Sequence, residues 1–91
     1  MARALTIVRH TVSDFDRWHL VYDEVQPLRD KYGILDASVL QDPGDANDVT
    51  VLHWFPSIEQ AQGFVGDAEL KDAMARAGVT GPPSINVVVE A

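Results

Sequence analysis

Three segments of this 91-residue chain are almost continuously apolar, and they dominate its hydrophobic pattern. Residues 5–8, 49–55 and 85–89 are rich in β-branched and large apolar side chains, a pattern typical of strands buried on both faces. A fourth segment, residues 34–41, is a weaker strand candidate. Turn-forming residues at 42–48 separate it from the third strand and predict a hairpin loop.

Two helices are predicted between these strands. Phe15, Trp18, Tyr22, Val25, Leu28 and Tyr32 recur every three or four residues and form the apolar stripe of the first helix. The sequence predicts one helix that Ser13 caps and Gly33 ends, with a kink or break near Asp23 because Pro27 removes a backbone hydrogen bond.

The second helix is expected in two short pieces. Ser57 and Gln60 form a capping-box pattern that predicts the first piece, and Gly63 and Gly66 weaken its end. A second start at Asp67 and a stop at Gly78 predict the other piece. Residues 81–83, Gly-Pro-Pro, are then expected to be a stiff connector into the last strand.

The resulting order is strand, helix, strand, strand, helix, strand, within a single domain spanning residues 1–91. This is the α+β, ferredoxin-like βαββαβ plan, with an antiparallel sheet and helices on one face. Two helices cover only one face of a sheet whose strands are apolar on both. We therefore expect a homodimer in which a second copy covers the open face and the two sheets close into a barrel.

The charge and composition exclude several classes of function. Fourteen acidic residues against seven Lys and Arg give a net charge of -7, which repels nucleic acid and anionic membranes. The chain has no cysteine, so disulfides and thiolate chemistry are excluded. With neither a signal-peptide pattern nor an apolar run of about 20 residues, a cytoplasmic protein is expected.

Two histidines are the candidate catalytic residues. His10 lies at the end of the first strand and His53 near the end of the third, and we expect these strands to be adjacent and parallel at the centre of the sheet. Either imidazole can act as a general base, or it can be a hydrogen-bonded strand residue without a catalytic role. Strand alternation leaves open whether the two side chains share a face.

The candidate substrate-binding residues are aromatic and basic. Trp18, Tyr22, Trp54 and Phe64 can line a pocket for a flat ligand or simply pack in the core. Arg9, a charge within an apolar strand, is expected either to pair with an acid across a dimer or to bind an anionic group of a ligand. Two histidines and scattered acids lack the spacing of a metal site, so no metal ligands are assigned.

Much of the chain resembles a known superfamily. The segments that carry this resemblance are VRHTV at residues 8–12, DFDRW at 14–18, VTVLHW at 49–54, AELKDAM at 68–74, GV at 78–79 and GPP at 81–83. They resemble small stand-alone proteins of the dimeric α/β-barrel superfamily, within the group named for antibiotic-biosynthesis monooxygenases. The resemblance implies a pocket between sheet and helices, lined by aromatic residues and one or two polar groups.

The leading hypothesis is a cofactor-independent monooxygenase or cyclase that acts on an aromatic or polyketide-like small molecule. In it, His53 or His10 removes a proton from the substrate, and neither metal nor bound flavin takes part. The alternative is a non-catalytic small-molecule-binding or structural homodimer. A further alternative is a haem-binding or haem-degrading protein, which needs a histidine free to bind iron.

Overall fold

A computed structural model describes residues 2–91, which form a four-stranded sheet covered on one face by helices. The elements are β1 (Ala4–Val12), α1 (Phe15–Glu24), α2 (Gln26–Lys31), β2 (Asp36–Asp42), β3 (Asp45–Phe55), α3 (Ile58–Val65), α4 (Ala68–Arg76) and β4 (Val79–Val89). The predicted α+β, ferredoxin-like plan is confirmed. No helix in the described part of the chain is both long and apolar enough to span a lipid bilayer.

The strand order is β2-β3-β1-β4, and every neighbouring pair is antiparallel. The expected adjacency of the first and third strands is correct, but their expected parallel direction is wrong. The helical crossover makes β1 and β2 parallel, and β3 is inserted between them in the opposite direction. As a result, His53 pairs with Thr6, four positions along β1 from His10.

One face of the sheet packs against the helices and the other is open. Residues paired in an antiparallel ladder point to the same side, so Thr6, Val8 and His10 of β1 share the helix-covered face with Val51 and His53 of β3. The open face carries apolar side chains at the strand positions that alternate with those of the covered face. On the edge strands of this face, Leu40 and Val88 are 47% and 44% exposed. The apolar pattern on both faces thus reflects one face buried within the subunit and one left open.

The first helical segment is two helices rather than one. α1 ends at Glu24 and α2 begins at Gln26, with Pro27 in the first turn of α2, where a missing N–H costs no helical bond. The predicted break near Asp23 is therefore confirmed, but the prediction of a single helix is wrong. The N-cap was also assigned wrongly: the Asp14 carboxylate, not the Ser13 hydroxyl, accepts the hydrogen bond from the Asp16 amide.

The second helical segment follows the prediction. The Ser57 hydroxyl accepts from the Gln60 amide, and Asp67 caps α4 after the break at Gly66. Gly78 has a φ of 80°, the left-handed conformation that ends such helices without strain. A Cβ at Gly63 would lie 2.8 Å from Cε1 of Tyr32, so this glycine lets α3 approach the Tyr32 ring closely.

The strands extend further than predicted at three places. β2 begins later than expected and runs to Asp42, and β3 begins at Asp45, so only a short turn separates them. β4 begins at Val79 and includes the Gly-Pro-Pro segment expected to be a connector. The β1–β4 ladder shifts register between Arg9 and Thr11. Prolines are tolerated in β4 because it is an edge strand with an irregularity.

The buried core divides into two apolar clusters. Ala4, Phe55 and Phe64 belong to the first, and Val12, Trp18, Val49 and Val51 to the second. Along β1 and β3, the buried polar residues Thr6 and His53 occupy the positions between these clusters. The interruption of the apolar core places polar groups beneath the helices, where the candidate site lies.

Candidate functional site

A small cavity of about 50 Å³ lies between the helices and the covered face of the sheet. This space, here called the inner cavity, is bounded by His10 and His53 from the sheet and by Trp18, Tyr22 and Arg29 from the helices. Its other walls are apolar. The two histidines therefore face one cavity, which settles the question that strand alternation left open.

His53 is held by Tyr22. The Tyr22 hydroxyl lies 2.8 Å from His53 Nε2, and their rings are nearly parallel with centroids 5.9 Å apart. Phe64 contacts the other side of the imidazole edge-on, with centroids 5.3 Å apart. These contacts fix the ring plane, so that Nδ1 is the imidazole nitrogen left to interact with another molecule.

His53 is neutral at physiological pH. Its residue is only 3% exposed. Burial, together with the nearby Arg29 cation, lowers the pKa of His53 to about 4. A neutral imidazole keeps one nitrogen free to accept a proton, and the tautomer decides which one.

His10 lies close to the same group of aromatic rings. Its imidazole meets Trp18 edge-on, with centroids 5.6 Å apart, and burial lowers its pKa as well. Among residues 2–91, neither ring nitrogen of His10 has a hydrogen-bond partner, and the same holds for Nδ1 of His53. Buried polar groups are normally paired. The three unpaired ring nitrogens therefore belong to two histidines that line the same small cavity.

Arg29 is a site residue that the sequence analysis missed. Its guanidinium lies 3.8 Å above the centroid of the Tyr22 ring, and the residue is only 2% exposed. Nη1 donates to the Tyr22 carbonyl and Nη2 to Gln26 Oε1, while burial lowers the pKa of Arg29. The sequence feature that could have identified Arg29 is its spacing. It follows Tyr22 by seven residues and so continues the inward-facing stripe of the first helix.

The predicted aromatic residues divide between the two faces of the sheet. Trp18, Tyr22 and Phe64 line the inner cavity as expected. The expected placement of Trp54 beside them is wrong: it follows His53 directly, so alternation turns it to the open face, where the Arg3 guanidinium lies 4.6 Å from its ring centroid. The aromatic part of the predicted site is therefore smaller than expected.

Arg9 is also on the open face. Its guanidinium forms a two-point ion pair with Asp48 of the same chain, at 2.7 and 3.1 Å. The expected partner across a dimer is thus replaced by an acid on the neighbouring strand, two residues from the directly opposed Thr50. This geometry separates Arg9 from the inner cavity by the thickness of the sheet.

Several ion pairs lie outside the cavity, at the surface of the described chain. Residues 2–91 contain no group of three or more His, Asp or Glu side chains placed to hold a metal ion. His19 and Asp23 form an exposed i,i+4 pair with a 3.9 Å separation, as expected for a solvated pair. The inner cavity is therefore the chemically distinctive region of the described chain.

No protein-family model matches the chain, and no curated protein sequence matches it. Solved structures do. A candidate antibiotic biosynthesis monooxygenase from Bordetella bronchiseptica superimposes with a TM-score of 0.81 at 10% identity, covering 100% of this chain and 99% of the other.

Two further solved structures have a similar fold at similarly low sequence identity. SnoaB, a cofactor-independent oxygenase from Streptomyces nogalater, gives a TM-score of 0.74 at 10% identity, over 94% of this chain and 92% of SnoaB. The monooxygenase ActVA-Orf6 from Streptomyces coelicolor, solved with nanaomycin D, gives 0.72 at 19% identity, over 99% and 88%. The chain therefore has the fold of these antibiotic biosynthesis monooxygenase-like structures, as the sequence resemblance predicted.

Proposed function

We propose that this protein is a cofactor-independent oxygenase of a small aromatic molecule, with His53 as the general base. The observation that carries the proposal is the pair of buried histidines, from neighbouring strands, that face one cavity with unpaired ring nitrogens. The resemblance in fold to SnoaB and ActVA-Orf6 supports the reaction class. It does not identify the substrate.

The energetic cost of the arrangement supports a functional role. A buried polar atom without a partner costs about 1–3 kcal/mol, and an apolar side chain at position 10 or 53 would avoid that cost. Both histidines are nevertheless present on the covered face. A bound molecule that supplies hydrogen-bonding atoms would recover the cost on binding.

The proposed chemistry uses the neutral state of His53. In the tautomer with the proton on Nε2, Nδ1 accepts a proton from an activated C–H of the substrate, and the Arg29 cation stabilises the resulting anion. Oxygen then adds to the carbanion carbon. That CH₂ group becomes a carbonyl and the second oxygen atom leaves as water, so the substrate supplies all of the electrons. A cyclase would use the same base without oxygen.

We further propose that the active form is a homodimer joined through the open sheet face. Leu5, Ile7, Leu52 and Trp54 lie together on this face by register, next to Val88 of β4. The ion pairs Arg3–Glu90 and Arg9–Asp48 also lie at the surface of the sheet. A contiguous apolar area with polar groups beside it is the usual composition of a protein interface.

One observation favours the non-catalytic alternative. Trp18, Tyr22 and His53 stack with centroids 5.1 and 5.9 Å apart and fill much of the space beneath the helices. The remaining volume of about 50 Å³ has room for a few water molecules. A protein that only binds a small ligand, or only assembles, would show this filling and no turnover.

The haem alternative does not fit the residues present. A porphyrin is far larger than the inner cavity. His53 Nε2 is already bonded to the Tyr22 hydroxyl at 2.8 Å, and both histidines are buried beneath the helices. The space beside the two imidazoles is therefore too small for a haem to bring its iron to them.

The test is oxygen uptake by the purified protein with anthrone, a three-ring compound with an activated CH₂ group, in the presence of a metal chelator. We expect anthraquinone and water to form, and His53→Ala to reduce the rate by about 100-fold or more. His19→Ala is the matched control, because His19 lies on α1 outside the cavity.

The outcomes separate the candidates. Full turnover in both His53→Ala and His10→Ala would overturn the catalytic role of the histidines. Binding of anthrone without oxygen uptake would favour the non-catalytic protein.

A further inference from the structure

A second concave surface lies outside the inner cavity, between α4 and the edge strand β4. This surface, here called the outer groove, has a volume of about 280 Å³. Ala75 of α4 and Pro83 and Ile85 of β4 contribute to its walls. Among its lining residues in the described chain, Lys71 is the one that carries a charge, so the groove is suited to an apolar group.

Two side chains belong to both spaces. Leu70 and Met74 line the inner cavity and also the outer groove, and both are partly buried. They are four residues apart on α4, so they lie one above the other on the same face of the helix. These two side chains form the wall that divides the spaces.

The wall contains a flexible side chain, that of Met74. Methionine is unbranched, with three rotatable side-chain bonds, and fills irregular gaps without fixing one conformation. A rearrangement of Leu70 and Met74 would therefore join the inner cavity to the outer groove.

The volumes indicate why the two spaces belong together. The inner cavity, at about 50 Å³, is too small for an aromatic molecule of two or three rings. Small-molecule sites usually measure about 300–1,000 Å³, and the inner cavity and the outer groove together reach the lower end of that range. The polar groups are at the inner end and the apolar walls at the outer end.

We propose that the inner cavity and the outer groove are two parts of one binding site, joined when Leu70 and Met74 move, and that its ligand is an elongated aromatic molecule. A ring with a hydroxyl group occupies the inner cavity beside His10 and His53. The apolar end of the molecule lies in the outer groove. The identity of the polar end rests on the proposed function, but binding can be measured without turnover.

The test compares phenol with 4-phenylphenol, which adds one apolar ring at the far end of the same hydroxyl-bearing ring. Binding is followed by the shift of the Trp18 indole N–H signal in an NMR titration, because Trp18 lines the inner cavity. We expect 4-phenylphenol to bind at least about tenfold more tightly than phenol, from the added burial of its second ring.

A substitution in the outer groove distinguishes the two halves of the site. Ala75→Phe places a ring in the groove, and we expect it to remove the preference for 4-phenylphenol while leaving phenol binding unchanged. Ala68→Phe is the matched control, since Ala68 is an exposed alanine on the same helix and is not part of the groove lining. The control should retain the full preference.

The contribution of Leu70 and Met74 to closing the inner cavity can be measured separately. In a Trp54→Phe background, Trp18 is the single tryptophan, and acrylamide quenching of its fluorescence reports access to the inner cavity. Met74→Ala should raise the quenching constant, whereas Lys71→Ala, which changes only the outer groove, should not.

Equal affinities for phenol and 4-phenylphenol, or equal effects of Ala75→Phe and Ala68→Phe, would overturn the two-part site. The preference for 4-phenylphenol together with a failure to oxidise anthrone would support the site and reject the oxygenase proposal. The two proposals can thus fail independently.

Discussion

His53 and Trp54 are neighbours in the sequence, yet they lie on opposite faces of the sheet in contrasting surroundings. His53 is buried under the helices, hydrogen-bonded to Tyr22, and part of a cavity with unpaired polar atoms. Trp54 lies on the open face among apolar side chains, with Arg3 over its ring. At these two positions the polar side chain is inside and the large apolar side chain is outside, which reverses the usual distribution.

This reversal has a physical meaning on each face. Burying imidazoles costs free energy that packing alone would not require. Leaving Leu52 and Trp54 on an open sheet face is equally unfavourable for a lone subunit. Both costs are offset if a ligand interacts with the covered face and a second subunit covers the open one. Strand alternation lets one strand serve both purposes.

The largest effect is expected from truncation of a large buried side chain on the covered face. Phe55→Ala should lower the free energy of unfolding by about 3–5 kcal/mol, because Phe55 is fully buried in the first apolar cluster. Denaturant unfolding measures the change. Leu40→Ala, at an exposed position on the open face, is the control and should cost far less. Comparable losses for the two would contradict the difference between the faces.

The next effect concerns association. Leu52→Asp introduces a carboxylate at the centre of the open face, and we expect it to weaken the proposed homodimer by about 100-fold. Light scattering over a range of protein concentrations measures the subunit mass. Leu20→Asp is the control, since Leu20 is 67% exposed on α1, away from the sheet. A mutant that remains dimeric at high dilution would place the interface elsewhere.

Acid should destabilise the covered face through His53. Because its pKa is lowered from 6.5 to about 4 in the folded protein, the unfolded chain binds the proton more readily between these values. The free energy of unfolding should therefore fall by at most about 3 kcal/mol as the pH drops from 6.5 to 4. Burial of His10 acts in the same direction.

Unfolding at pH 7 and at pH 4.5 measures this dependence. His53→Gln keeps a hydrogen-bonding side chain but removes the titrating group, so its stability should depend less on pH than that of the wild type. An unchanged dependence would show that His53 does not titrate as described.

The smallest effect is expected from the hydrogen bond that orients His53. Tyr22→Phe keeps the ring under Arg29 but removes the hydroxyl that lies 2.8 Å from Nε2. We expect a loss of about 1 kcal/mol in the free energy of unfolding, with little change in fold. If the NMR chemical shifts of the His53 imidazole are the same in this variant as in the wild type, the hydrogen bond between Tyr22 and His53 is contradicted.

The sequence predicted the elements more accurately than it predicted the site. Capping patterns at Ser57 and Asp67, and the stops at Gly33 and Gly78, are local and were read correctly. The capping role of Ser13 was wrong because the adjacent Asp14 competes for the same helix end. The choice depends on backbone geometry that the pattern does not contain.

Which side chains share a face depends on strand register, a long-range property. The pairing of Thr6 with His53 brings the two histidines to one face and simultaneously turns Trp54 away from it. Arg29 was missed, although its seven-residue spacing from Tyr22 places it on the inward-facing stripe. The break at Val25, between α1 and α2, does not interrupt that stripe.

The central claim is that one face of the sheet binds a ligand while the other joins two subunits. The two tryptophan indole N–H signals in a nitrogen-15 NMR spectrum test it directly, because Trp18 and Trp54 report on opposite faces. The account predicts that 4-phenylphenol shifts the Trp18 signal and that dilution of the protein shifts the Trp54 signal. A ligand response at Trp54 with none at Trp18 would contradict it.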